Sequence, residues 1–226
     1  MKYKWLLFDL DGTLFDYDKA ESLALEKAFN KFNHKFNPAY NDAYIEINKL
    51  LWTDSEQGKI TTHKLRVKRF EILFSKLNLD YDPILFSDCY LQNISGEAHL
   101  IEGAEIVLTS LFKKARLVLI TNGIKEVQRT RLSKSTINKF FSDIIISEEV
   151  GAAKPDKLIF DAAFKKMNHP LKKDVLIIGD SLSSDIKGGN DYGIDTCWFN
   201  PKQKPYELNM GANYEIEKLY DVLMIA

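Results

Sequence analysis

Hydrophobic and polar positions along the chain fall into two rhythms. Short, mostly apolar runs, the pattern of strands buried on both faces, predict strands over residues 5–8, 117–121, 144–147, 175–179 and 196–199. Between the first and second runs the rhythm is helical throughout. Leu23, Leu25, Ala28, Phe29 and Phe32 recur at helical spacing, with Asp18 as the expected N-cap. Pro38 opens a second helix carrying Ala43, Ile47, Leu50 and Leu51, broken at Gly58. Thr61 or Thr62 caps a third, with Leu65, Phe70, Leu73 and Leu77. Asp82-Pro83 starts a fourth, with Leu85, Phe86, Cys89 and Tyr90, ending near Gly96. Downstream, helices are expected over 103–112, through Val127 and Leu132, through Ile159, Ala163 and Met167, over 184–192 and over 216–223, with a loop-rich stretch at 201–211.

The alternation in the second half implies an α/β fold, a doubly wound parallel sheet with helices on both faces. About a hundred residues separate the first two strands, whereas an ordinary crossover needs only about a dozen or more. The excess reads as an inserted all-helical domain. Residues 1–15 and 100–226 then form a core, and 16–99 a helical cap hinged near Phe15-Asp16 and 99–102.

Composition narrows the field of functions. The 226 residues are 45% hydrophobic and 28% charged, with a net charge of -1, so no basic field is available to hold a nucleic acid polymer. No stretch reaches membrane-spanning length. Lys2, Lys4 and the run that follows are too short for a secretory leader, because Asp9 and Asp11 come at once. Cys89 and Cys197 lie far apart without metal-ligand spacing, which points to buried thiols in a cytoplasmic protein. The four histidines sit in polar segments and receive no role.

The chemistry collects where the strands end. After the first comes Asp9-Leu10-Asp11-Gly12-Thr13; after the second, Thr121-Asn122-Gly123; after the third, Gly151 and Lys154-Pro155; after the fourth, Gly179-Asp180-Ser181, with Asp185 further on. Each has a bland reading as a turn, a helix start or a cap. Together they converge on the rim of the sheet where such folds place ligands. Asp9 and Asp11 point to the same side of the chain, and two such charges 4 Å apart repel by about 4 kcal/mol at an effective dielectric of 20. A fold keeps that arrangement for a cation, a shared proton or a reaction. Asp9, Asp11, Asp180 and Asp185 are hard oxygen groups of the kind Mg²⁺ takes. Thr121, the amides of Asn122 and Gly123, and Lys154 are donors suited to phosphate oxygens. No nitrogen- or sulfur-rich cluster suggests zinc.

In sequence, order and spacing these motifs resemble the haloacid dehalogenase superfamily across essentially the whole chain, and the insertion after the first motif resembles its C1-type helical cap. Gln128, Arg131-Leu132, Ser147-Glu148-Glu149-Val150-Gly151, Ser184-Asp185-Ile186 and Thr196-Cys197-Trp198 further resemble the pyrimidine 5′-nucleotidases of the YjjG type. The resemblance implies a phosphatase in which Asp9 is the nucleophile that forms an aspartyl-phosphate. It makes Asp11 the general acid and then the base. Asp9, the backbone carbonyl of Asp11 and Asp180 would hold Mg²⁺, for which Mn²⁺ can substitute, and Asp185 would bind a metal-bound water or steady Lys154. Thr121, Asn122, Gly123 and Lys154 would hold the transferring phosphoryl group. Dehalogenases of the superfamily lack the second aspartate; Asp11 therefore argues for phosphoryl transfer.

The expected substrate is a small phosphate ester, a nucleoside 5′-monophosphate with pyrimidines preferred, handled by a monomer or homodimer. A sugar-phosphate phosphatase or phosphomutase is the alternative on the same scaffold. A regulatory protein on a degenerate fold is disfavoured, because Asp9, Asp11, Lys154 and Asp180 all stand. In the cap, Trp52, Arg66, Arg69 and Phe70 are candidates to stack on or neutralise the substrate, against readings as core aromatics and solvated arginines.

Overall fold

The first strand, β1 (Trp5–Phe8), is buried on both faces because both faces of the sheet are covered. Its residues alternate between them: Leu6 and Phe8 join one apolar cluster with Val107, Leu108 and Leu119, while Leu7 joins another with Val118, Ile159, Phe160 and Ile177. In this computed structural model, which describes residues 1–205 and 211–226, β1 is central. The other strands are β2 (Arg116–Thr121), β3 (Phe141–Ile146), β4 (Val175–Gly179), β5 (Asp195–Phe199) and β6 (Tyr214–Ile216). They are ordered β3-β2-β1-β4-β5-β6 and all pairs are parallel, with Leu7 level with Val118 on one side and Ile177 on the other. Strand order therefore reverses beside β1, which is where ligands bind in open α/β sheets.

Between β1 and β2 run five helices: α1 (Tyr17–Lys31), α2 (Pro38–Glu56), α3 (Thr62–Leu77), α4 (Pro83–Ile94) and α5 (Ala104–Phe112). The first four bury a cluster of their own that includes Phe29, Tyr44, Phe70, Phe74, Phe86 and Tyr90. Phe70 stacks on Tyr44 with centroids 5.5 Å apart, and Phe86 touches Phe29, Phe70 and Phe74. The chain enters and leaves this unit through two adjacent linkers. Asp16 N donates to His99 O at 2.9 Å, Phe15 bridges antiparallel to Leu100, and Ile101 N donates to Leu14 O at 2.9 Å. The remaining helices are α6 (Lys125–Lys134), the single turn α7 (Ser147–Val150), α8 (Lys157–Lys166), α9 (Lys187–Tyr192) and the short α10 (Val222–Ile225).

Three details depart from the sequence reading. Asp16, not Asp18, caps α1, accepting from Lys19 N at 3.0 Å; Asp18 lies in the first turn, where it favours the helix dipole. Leu50 and Leu85 are 61% and 60% exposed although their spacing suits the core. The expected helix over 216–223 is replaced by strand β6, a tight turn at Leu219–Asp221 and α10; three residues are too few to show a period of two. The loop-rich stretch 201–211 falls partly outside the described residues. Among those described, no helix is long and apolar enough to cross a membrane, and Cys89 and Cys197 are buried and free.

Candidate active site

Lys154 organises the charged rim. It stands in the loop between α7 and α8 and is 1% exposed. Its Nζ donates to Asp9 Oδ1 at 2.6 Å and to the carbonyl of Ile120 at 2.8 Å, and lies 2.7 Å from Asp185 Oδ1. Asp9, one residue past β1, is fixed by its amide, which donates to Ile178 O at 2.9 Å. Its other carboxylate oxygen accepts from Thr13 Oγ1 at 3.2 Å. Asp185 sits on a wide turn, Leu182–Ile186, closed by Ile186 N donating to Ser181 O; its second oxygen accepts from Ser181 N at 3.1 Å. Such turns cluster at functional sites. Glycines make the close approach possible. A Cβ on Gly179 would stand 2.2 Å from the Asp185 carboxyl carbon, and one on Gly12, whose φ is +85°, 2.7 Å from Asp180 Oδ2.

Asp9, Asp180 and Asp185 bring carboxylate oxygens within 4.8 Å of one another. Burial drives the Asp9 carboxyl well above the ordinary carboxylate range; Lys154 opposes the rise, and Asp185 and Asp180 add to it. Burial, with Asp185 adding, pushes Asp180 up to about 7. Burial works against the Lys154 charge, but Asp185 and Asp9 outweigh it and raise its pKa. Asp9 and Asp185 thus share Lys154, while Asp180 stands beside them without a direct ion pair, its charge favoured by Lys204 and Lys154 at longer range. A hard divalent cation fits this donor set: it would cancel the remaining negative charge with the oxygen ligands it prefers.

Asp11 is placed differently. Its carboxylate is not in that cluster. Oδ1 accepts from Arg131 Nη1 at 2.5 Å and Oδ2 from Gln128 Nε2 at 2.7 Å. Both donors stand on α6. Arg131 is fully buried; its Nε donates to Glu97 O at 2.8 Å and its guanidinium lies 4.7 Å from the Phe15 ring centre. It therefore touches both linkers to the helical unit as well as Asp11.

Of the phosphate-binding candidates, Thr121 is buried, and its hydroxyl accepts from Gln128 Nε2 at 3.1 Å. The Gly123 amide donates to Ser147 Oγ at 3.0 Å, so in this conformation that donor is already used. Asn122 is a brace: its amide exchanges hydrogen bonds with the Lys154 backbone, Nδ2 to O at 2.9 Å and N to Oδ1 at 2.8 Å. The same Nδ2 reaches Glu56 Oε1 at 3.1 Å, at the end of α2. Burial raises the Glu56 carboxyl above its usual value.

A cavity of about 190 Å³ opens between rim and helical unit, with Asp9, Lys154, Asp180 and Asp185 on one wall and Trp52, Arg69 and Tyr90 on the other. Arg66 and Phe70 are not part of its lining. Arg66 instead pairs with Glu148 at 2.6 Å and Glu126 at 3.2 Å, strapping α3 to α6 and α7, and Phe70 is core. Sequence reasoning gave no part to Glu56, Thr13 or Tyr17. Thr13 was the findable one, since a hydroxyl four residues after Asp9 in a tight loop can return to it.

A family profile described as haloacid dehalogenase-like hydrolase matches residues 6–199. The chain is 37% identical to the pyrimidine 5′-nucleotidase PynA of Streptococcus pneumoniae, over 99% of this chain and 94% of that one. It is 32% identical to the pyrimidine 5′-nucleotidase YjjG of Escherichia coli, over 98% and 97%. Among solved structures it is similar to the HAD-hydrolase YfnB of Bacillus subtilis, bound to magnesium and described as revealing interdomain movement. The TM-score is 0.94 at 36% identity, covering 100% of this chain and 99% of that one.

Proposed function

The chain belongs to the haloacid dehalogenase-like hydrolase family, and on that premise we propose that this phosphoric monoester hydrolase is a Mg²⁺-dependent 5′-nucleotidase preferring pyrimidine nucleoside monophosphates. The observation that carries the reading is the meeting of Asp9, Lys154, Asp180 and Asp185 at one rim of the sheet, facing a cavity closed by helices. The two nucleotidases at 37% and 32% identity supply the substrate class.

In this reading an Asp9 oxygen attacks phosphorus and the ester oxygen leaves, taking a proton from Asp11. The product is an aspartyl-phosphate and a nucleoside. Asp11 then removes a proton from water, which attacks the same phosphorus, frees inorganic phosphate and restores Asp9. For the first step Asp11 exchanges Gln128 or Arg131 for the ester oxygen. Lys154, already on Asp9, holds a phosphoryl oxygen. Asp9, Asp180 and the Asp11 carbonyl are the groups to hold Mg²⁺ or Mn²⁺, with Asp185 beside them; the cation's charge offsets that of carboxylates and phosphate. Residues 16–99 act as a cap over the core formed by 1–15 and 100–226. Its opening admits the nucleotide and its closure shields the phospho-enzyme, a use of mobility consistent with the interdomain movement described for YfnB.

The test is inorganic phosphate release from a panel of nucleoside monophosphates and sugar phosphates, with Mg²⁺ and with excess chelator. The expected order is pyrimidine over purine nucleotides and hexose phosphates, with none turned over in chelator. Mg²⁺ at a hundredfold excess over its Kd stabilises the fold by about 2.7 kcal/mol, which raises Tm by roughly 5–10 °C for a chain of this size. Full turnover in chelator refutes the metal assignment; a preference for purine nucleotides or hexose phosphates refutes the specificity alone.

A further inference from the structure

Arg69 is the least expected side chain around the cavity. It projects from α3 into the aromatic cluster of the helical unit and is 1% exposed. Its guanidinium lies 4.7 Å from the ring centre of Tyr90 and 5.1 Å from that of Phe70. Nε donates to the carbonyl of Arg66 at 3.2 Å and Nη1 to Asn48 Oδ1 at 3.3 Å. Nη2 and the Tyr90 hydroxyl are buried without a well-formed hydrogen bond, the Tyr44 hydroxyl being their polar neighbour; Arg69 and Tyr90 line the cavity. A guanidinium nitrogen buried with nothing to donate to is costly unless something fills the place. Arg131, the other arginine on this cavity, also has a buried Nη2 without a hydrogen bond, but its Nη1 and Nε are held by Asp11 and the Glu97 carbonyl, beside the reacting carboxylates. Arg69 has no catalytic carboxylate beside it.

The surroundings specify what would fill that place. Arg69 reaches an acid only through Asn48, which donates to Glu21 Oε1 at 2.6 Å. The one nitrogen left open suits a single neutral acceptor. The neighbouring walls are apolar, formed by Trp52, Leu91, Ile94, Ile124 and Val127, which suits a flat ring rather than a hydroxyl-rich sugar.

We propose that Arg69, assisted by Tyr90, reads the base of the substrate, donating from Nη2 to a ring carbonyl oxygen while Trp52 and the aliphatic wall cover the ring. Uracil, thymine and cytosine all carry a carbonyl next to the glycosidic nitrogen; adenine carries none. The proposal rests on the nucleotide reading above and goes beyond it by assigning specificity to one side chain remote from the carboxylates.

The experiment compares kcat/KM for dUMP and for 2-deoxyribose 5-phosphate, which shares the phosphate and sugar but has no base, in the wild type, Arg69→Gln and Tyr90→Phe. Wild type is expected to favour dUMP, and Arg69→Gln to lose roughly tenfold or more on dUMP, the scale of one hydrogen bond from a charged donor. That loss should sit mainly in KM, with deoxyribose 5-phosphate changed less than about threefold. Tyr90→Phe removes one hydroxyl and leaves the packing, so it reads the same site where Arg69→Gln folds poorly; it should reduce the preference severalfold. An equal loss on both substrates makes Arg69 a packing residue and overturns the proposal, as does an undiminished preference in both variants. A wild type that hydrolyses both substrates equally overturns the nucleotide reading itself, and is told apart because it appears before any substitution.

Discussion

The sheet rim and the helical unit both bury charge, by opposite means. At the rim, Asp9, Asp180 and Asp185 crowd together, two of them on Lys154, and each is placed by backbone: a strand end, a glycine with positive φ, a wide turn. In the helical unit a single arginine, Arg69, lies among aromatic rings and is linked to its acid through an amide. The rim holds unbalanced charge and needs a cation or an anionic substrate to balance it. The helical unit instead holds its one charge among rings and an amide, with a buried donor unused. On the proposed reading, chemistry and selection of the organic group are built on separate scaffolds, and Arg131 stands at the seam, touching Asp11, Phe15 and Glu97.

The largest effect should come from the rim. Asp9→Asn removes the atom that bonds to phosphorus, so no phospho-enzyme should form with any substrate in rapid-quench labelling. It also leaves Lys154 with Asp185 alone as its carboxylate partner, so the Mg²⁺-dependent rise in Tm should shrink. Labelled Asp9→Asn protein would show the nucleophile to be elsewhere. At the seam the effect should be large but selective. Asp11→Asn loses a proton carrier worth roughly 10²–10⁴-fold, which an alkoxide leaving group needs and a nitrophenolate does not. Nucleotide hydrolysis should fall by that factor, whereas nitrophenol should appear as a burst with phospho-enzyme accumulating. Because the Asp11 carboxylate lies on Arg131 and Gln128, outside the acidic cluster, the Mg²⁺ shift in Tm should survive. Equal slowing of both substrates would place Asp11 in the rim's job instead.

The same contrast explains what the sequence disclosed. Rim residues were legible because a strand reads as an apolar run and its end is where ligands bind, so Asp9, Lys154 and Asp180 could be aligned without knowing any side-chain angle. The Lys154–Asp185 pairing followed one of the two roles expected for Asp185. The orientation of Asp11 toward α6 was not legible, since two residues sharing a side of a strand diverge once the strand ends, here at Phe8. The Gly123 amide, expected to face phosphate, is taken by Ser147, a partner 24 residues away. In the helical unit Arg66 and Arg69 stand three apart with the same composition around them. Only packing decides that one straps α3 to the core while the other lines the cavity. Strand β6 was too short to carry a period.

The smallest expected effect lies in the helical unit and would show whether its charge is as self-contained as its geometry indicates. Glu21 is 3% exposed on α1. Burial pushes its carboxyl up to about 7, although Asn48, Arg69 and Tyr17 pull it down; Asp18 adds to the rise. An acid whose folded pKa exceeds its unfolded value is bound to its proton more tightly in the folded state. It contributes its full stability below the unfolded value near 4.5 and loses it as pH rises toward about 7, after which the curve is level. At about 1.4 kcal/mol per pH unit the whole loss is roughly 3 kcal/mol at most. Glu21→Gln keeps an oxygen for the Asn48 amide and cannot ionise. The variant should therefore match wild type at pH 4 and be the more stable protein at pH 8, by denaturant midpoint at each pH. The rim does not contain Glu21, so the pH profile of nucleotide hydrolysis should keep its shape. A wild-type stability curve as flat between pH 4.5 and 7 as that of Glu21→Gln would mean that Arg69, reached through Asn48, holds Glu21 ionised. The helical unit would then carry a true buried ion pair, and its difference from the rim would be one of number rather than kind.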